Sequence, residues 1–120
     1  MSIFALIAVA LIVALHLYIA WFEMFAWETV GRRVFRTLPA DLFAPTKVLA
    51  FNQGVYNGLL ALGLIWSLFI GDPHWQRLVA SCFLILVALA GLAGAVSAAR
   101  RILFVQTVPS LIALALVWLG

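Results

Sequence analysis

Apolar residues fill four long runs, and polar and charged residues collect in the stretches between them. The runs cover about residues 3–27, 47–70, 75–99 and 102–119. A bilayer-crossing helix needs roughly 20 mainly apolar residues, so each run reads as a span. The pattern predicts an all-α, four-helix transmembrane bundle forming one integral membrane domain over residues 1–120. Pro39 and Pro45 break the first loop, and Gly71-Asp72-Pro73 makes a tight turn between the second and third runs. The second and third loops are very short, which sets neighbouring spans antiparallel. The first run lacks a basic leader and a small-residue cleavage site and carries His16 and Glu23 inside it, so it reads as a retained helix rather than a signal peptide.

The second run opens with KVLAFNQGVYNGLL, whose polar positions are unusual for a lipid-bound helix. At about 100° per residue, and with Asn52 as zero, Tyr56 falls near ~40°, Gln53 near ~100° and Asn57 near ~140°. Gly54 and Gly58 fall near ~200° and ~240°, while Val48, Phe51, Val55, Leu59, Leu62 and Trp66 fill the remaining arc. The helix therefore has a polar face, a small face and an apolar face. The apolar face suits lipid. The Gly54/Gly58 face permits close approach of another backbone, and Gly91 and Gly94, with Ala95 and Ala98, offer a matching surface in the third run. The polar face must meet protein or water, because lipid satisfies no amide. It is expected either to line a binding site or to hold helices together by hydrogen bonds.

In the first run His16 and Glu23 lie seven residues apart, which places them on one helix face. Ala20 and Trp27 share that face. An acid inside a span is costly and marks a functional hypothesis with a partner to be named. The candidates are Asn52 and Tyr56 as hydrogen-bond donors, Arg101 as counter-charge, or a Glu23 that is held neutral. The bland alternative has Glu23 reaching the headgroups to pair with loop arginines. The spacing does not suit two ligands on one metal ion, which favours i, i+3 or i, i+4, so no metal is expected. Nothing in the pattern requires a cofactor.

The fourth run adds Gln106, Thr107, Pro109 and Ser110. Pro109 cannot bond the carbonyl of Val105 and is expected to kink the span. Gln106 and Ser110, four apart, share a face that can join the interior polar cluster. Cys82, the one cysteine, excludes an intramolecular disulfide and reads as a small buried apolar residue. Glu28 reads as a solvated helix end. Ser81, Ser97, Trp21, Trp66, Trp75 and Trp118 read as packing residues and interface anchors.

Composition agrees: the chain is 68% hydrophobic and 9% charged, with mean hydropathy +1.23. A globule of this length has no polar exterior to spare at that composition. A net charge of +3 invites a nucleic-acid partner, but the basic residues stand in short clusters between apolar runs, as topology signals do. Arg32, Arg33, Arg36, Lys47, Arg100 and Arg101 flank the first and third loops, against Arg77 alone in the second. The positive-inside rule then puts loops 28–46 and 100–101 in the cytoplasm and both termini on the non-cytoplasmic side of the cell's inner membrane.

HLYIAWFEMFAWET and KVLAFNQGVYNGLLALGL resemble the bacterial family of small integral membrane proteins known as domain of unknown function 1304. The likeness spans nearly the whole chain and implies four membrane helices. It implies no activity. A weaker likeness is to the MAPEG family of glutathione-linked membrane enzymes, four-helix chains with a basic first loop that form trimers and bind glutathione between subunits. Here Val55 stands where those proteins place an acid after the Asn, and the arginine expected before Asn52 is absent, with Lys47 the nearest cation. That likeness therefore implies architecture alone.

The leading expectation is a cytoplasm-facing intramembrane pocket lined by His16, Glu23, Asn52, Gln53, Tyr56, Asn57 and Gln106, which binds or moves a small polar or amphipathic solute. Gly54, Gly58, Gly91 and Gly94 are expected to pack helices. An oligomeric membrane enzyme and a structural subunit are the alternatives. Lipids, a second copy of the chain and an unidentified small ligand are the expected partners.

Overall fold

The computed structural model of the chain describes residues 1–119. Its elements are α1 (Ile3–Phe25), α2 (Val30–Val34), a 3₁₀ turn (Ala40–Leu42), α3 (Lys47–Leu68), α4 (Pro73–Ser97), a π turn (Leu103–Thr107) and α5 (Val108–Leu119). No strand occurs among the described residues. The helices α1, α3 and α4 are each long and apolar enough to cross a membrane, which marks a membrane protein. The fourth apolar run, Leu103–Leu119, is shorter than those three.

The boundaries have local causes. α1 ends two residues before the expected limit because the Ala26 carbonyl accepts from the amides of Thr29 and Gly31, turning Trp27 out of the helix. α4 starts two residues earlier than expected. Asp72 caps it by accepting from the Trp75 amide at 3.0 Å, and Pro73 occupies the first helical turn, where a missing N–H costs nothing.

The chain divides into two compact units. One comprises Met1–Ala14 together with the chain from Leu60 onward. Its core is an aliphatic cluster of Ala5, Val9, Ile12 and Val13 with Leu64, Ala80, Leu84, Val87, Ala113 and Val117. Within it Pro109 does not break the fourth run. The Val108 amide instead bonds back to the Leu103 carbonyl, and the strain of the missing Pro109 donor is absorbed as a π turn. That turn packs on Gly91, where an added Cβ would collide with Thr107 and Gln106, and Thr107 Oγ1 donates to the Ala88 carbonyl at 2.9 Å. Ile102 lies over Gly94. Trp118 Nε1 donates to Ser81 Oγ at 2.8 Å.

Cys82 is exposed, not buried as expected. Ser81 and Leu84 turn into the core, and Cys82 sits about 100° from Ser81 on the apolar outer surface.

The second unit is Leu15–Leu59, which holds the last part of α1, α2, and the first part of α3. Gly54 lies against Ala20 and Met24 of α1, with the Ala20 carbonyl oxygen 2.9 Å from where a Cβ would stand. Gly58 also faces Ala20. The partners thus differ from the expected match: Gly54 and Gly58 of α3 meet α1, and Gly91 and Gly94 of α4 meet the fourth run. The apolar face of α3 turns outward, with Val48, Phe51 and Leu59 exposed.

Candidate functional site

The α1–α3 seam of the second unit determines which polar side chains meet. Ala20 of α1 offers a short side chain and an approachable backbone, so the small face of α3 settles on it. That contact fixes the rotation of α3. Asn57, about 60° from Gly54, is brought to the seam, whereas Asn52 and Tyr56 are carried to the far side.

The result is a carboxylate–amide pair. Asn57 Nδ2 donates to Glu23 Oε1 at 2.6 Å. Glu23 is 9% exposed, and His16 on the same face of α1 is wholly buried. The partner of Glu23 is therefore Asn57, and not Asn52 or Tyr56 as the sequence suggested. The loop arginines do not take Glu23 either. The acid at the helix end, Glu28, forms the ion pair instead, with Lys47 Nζ at 3.5 Å from its Oε1.

The remaining candidates are placed differently. Asn52, Gln53 and Tyr56 are exposed on α3, Tyr56 at 54%. The structure brings none of the three to the Glu23–Asn57 contact. Gln106 belongs to the other unit, where its carbonyl accepts from Ser110 Oγ at 2.6 Å. Among the described residues no three His, Cys, Asp or Glu side chains gather as ligands of a metal ion would.

Around the pair the first loop is held by aromatic packing that the sequence pattern did not reveal. Trp27 Nε1 donates to Thr46 Oγ1 at 3.0 Å, and Thr46 Oγ1 donates in turn to the Leu42 carbonyl at 2.6 Å. The Trp27 ring lies 5.1 Å from that of Phe43 and 5.6 Å from that of Phe35, which also meets Phe22. Phe43 is a loop residue and yet buried. The only sequence signal for this was the recurrence of aromatic residues through a segment that composition marked as a loop.

Comparison with known proteins adds the lineage. A family model described as Protein of unknown function (DUF1304) matches residues 10–118. The chain belongs to that family. The match takes in every candidate residue from His16 to Gln106. The uncharacterized protein YpaA of Lactococcus lactis subsp. lactis (strain IL1403) is 33% identical over 103 residues, covering 83% of this chain and 85% of the relative. No solved structure matches the chain.

Chemically, the pair places one hydrogen-bonding acid inside a helix seam and leaves exposed the phenol of the adjacent residue, Tyr56, and the amides of Asn52 and Gln53 about one turn earlier on α3. A carboxyl oxygen accepts from amides, hydroxyls and cations, and it exchanges protons. The exposed carboxamides each donate and accept. That combination suits recognition of a small polar group, or of a second polar helix.

Proposed function

We propose that the protein binds or moves a small polar or amphipathic solute at a cytoplasm-facing polar site anchored by Glu23 and Asn57. The observation that carries this reading is the 2.6 Å bond between them inside candidate membrane spans, with His16 buried on the same face. An intramembrane acid is retained at an energetic cost, and such acids commonly mark solute or proton paths. In this reading the chain crosses the inner membrane four times, with Leu103–Leu119 as the fourth crossing. Loops 28–46 and 100–101 are cytoplasmic and both termini lie outside, as the six-to-one distribution of basic residues supports.

A single copy of 120 residues leaves little room for a path, and Asn52, Gln53 and Tyr56 are exposed on α3. A homo-oligomer joined along that face of α3 completes the site and satisfies these polar groups in lipid.

Native mass spectrometry of the protein released gently from its own membrane tests the reading. An oligomer carrying a reproducible small adduct is expected, and the adduct is expected to vanish with Glu23→Gln. A bare monomer, or an oligomer with bulk lipid alone, would sink it. A second reading, a structural subunit, is favoured by the same contact: one amide on one carboxylate is enough to staple two helices. Under that reading Glu23→Gln leaves every phenotype unchanged.

A further inference from the structure

The first loop is a built surface. Beneath it lies the packed group of Phe22, Trp27, Phe35 and Phe43, closed by the bond from Trp27 to Thr46. Gly31 of α2 is buried on the Trp27 ring, where any Cβ would press on Cε3 at 2.7 Å. This seats α2 on the aromatic core by its glycine, and Arg32, Arg33 and Arg36 are left exposed.

Two of these arginines are held in place by the backbone. Arg32 Nε donates to the Glu28 carbonyl at 2.6 Å, and its guanidinium carbon stands 5.2 Å from the centre of the Phe43 ring. Arg36 Nε donates to the Arg33 carbonyl at 3.2 Å. Fixing a guanidinium through Nε leaves its two terminal nitrogens outside those bonds, and these form a fork suited to paired oxygen atoms. Stacking on Phe43 further restricts the Arg32 side chain. Of the acids in the loop, Glu28 is already engaged by Lys47, which leaves Asp41 against three arginines.

We propose that Arg32, Arg33 and Arg36 form a binding site for the phosphate of an anionic phospholipid headgroup. The loop joins α1 to α3, both long enough to span, so it lies at a bilayer surface where headgroups are concentrated. The aromatic group under α2 is the chemistry of that depth. The same unit exposes Phe25, Leu42 and Phe51, which are apolar surface for acyl chains. A soluble acidic partner would use none of this apolar surface. The site uses neither Glu23 nor Asn57 and does not depend on the function proposed for them.

Native mass spectrometry of the full chain in detergent, titrated with phosphatidylglycerol or with phosphatidylcholine of the same acyl chains, reads the preference directly. About a ten-fold preference for phosphatidylglycerol is expected, falling by about five-fold with Arg32→Gln or Arg36→Gln, in line with the weight of one basic residue at an anionic surface. Arg33→Gln leaves the contacts on Phe43 and Glu28 untouched, so a fall in that variant is not a folding defect. Equal retention of the two lipids would overturn the site, as would a preference unchanged in all three variants. So would an equal fall with Arg100→Gln, since charge anywhere would then suffice. Displacement of the lipid by an equal concentration of glycerol phosphate would overturn the lipid as ligand; resistance to it supports the headgroup together with its acyl chains.

Discussion

Asn57 of α3 reaches Glu23 of α1 because Gly54, one turn earlier, lies against the backbone of Ala20. A packing contact between small residues thus determines which of four neighbouring polar side chains meets the acid.

The pair should behave as a unit. Glu23→Ala and Asn57→Ala, made singly and together, are expected to show a coupling of about 0.5–2 kcal/mol in reversible unfolding from detergent or bilayer. Strict additivity would show that the contact contributes nothing to the native state.

Gly54 and Gly58 of α3 should respond unequally. In Gly54→Ala the new methyl meets the Ala20 carbonyl oxygen at 2.9 Å, a backbone atom that yields only if the helices part. A loss of about 1–3 kcal/mol is expected. In Gly58→Ala the nearest atom is Ala20 Cβ at 3.8 Å, an ordinary contact, and stability should stay within about 0.5 kcal/mol. Thermal unfolding followed by circular dichroism compares them, and an equal response would contradict the seam described.

How much of this was legible beforehand varies by residue. Helical periodicity alone put Val48, Phe51 and Leu59 on an outward apolar face, and the structure exposes them. Hydropathy gave four spans, of which the structure forms three as helices long and apolar enough to cross a membrane and the fourth as a shorter run, and the two quoted blocks sufficed for the family. Periodicity could not separate Asn57 from Asn52, because both sit on one arc until the position of α1 is known. It could not orient Cys82, which belongs to an apolar run on every side. The seat of α2 on Trp27 and Phe43 was hidden for another reason: it depends on contacts between residues 16 apart in a segment without period.

If the outer face of α3 joins two copies, it should cross-link. With Cys82→Ser as background, Gln53→Cys is expected to form a disulfide-linked dimer in oxidised membranes. Leu11→Cys, exposed on α1, is expected to stay monomeric. Similar yields from both positions would argue against an interface at Gln53.

The π turn should depend on its side-chain anchor. Thr107→Val removes the donor to the Ala88 carbonyl, and a loss of about 0.5–1.5 kcal/mol is expected. Thr107→Ser keeps the hydroxyl and should recover most of it. Unfolding midpoints of the two variants that coincide would show the bond to be without weight.

The fourth apolar run has a consequence for the lipid around it. Leu103–Leu119 is 17 residues long, and at about 1.5 Å per residue it measures about 25 Å, against a hydrocarbon core near 30 Å. α1, at 23 residues, is about 35 Å long by the same measure. If Leu103–Leu119 is the fourth crossing, as proposed above, a bilayer meeting both must change thickness across the width of one small protein. Such a protein would settle preferentially where membranes are thin or already deformed, and would draw to its short side the lipids that tolerate compression.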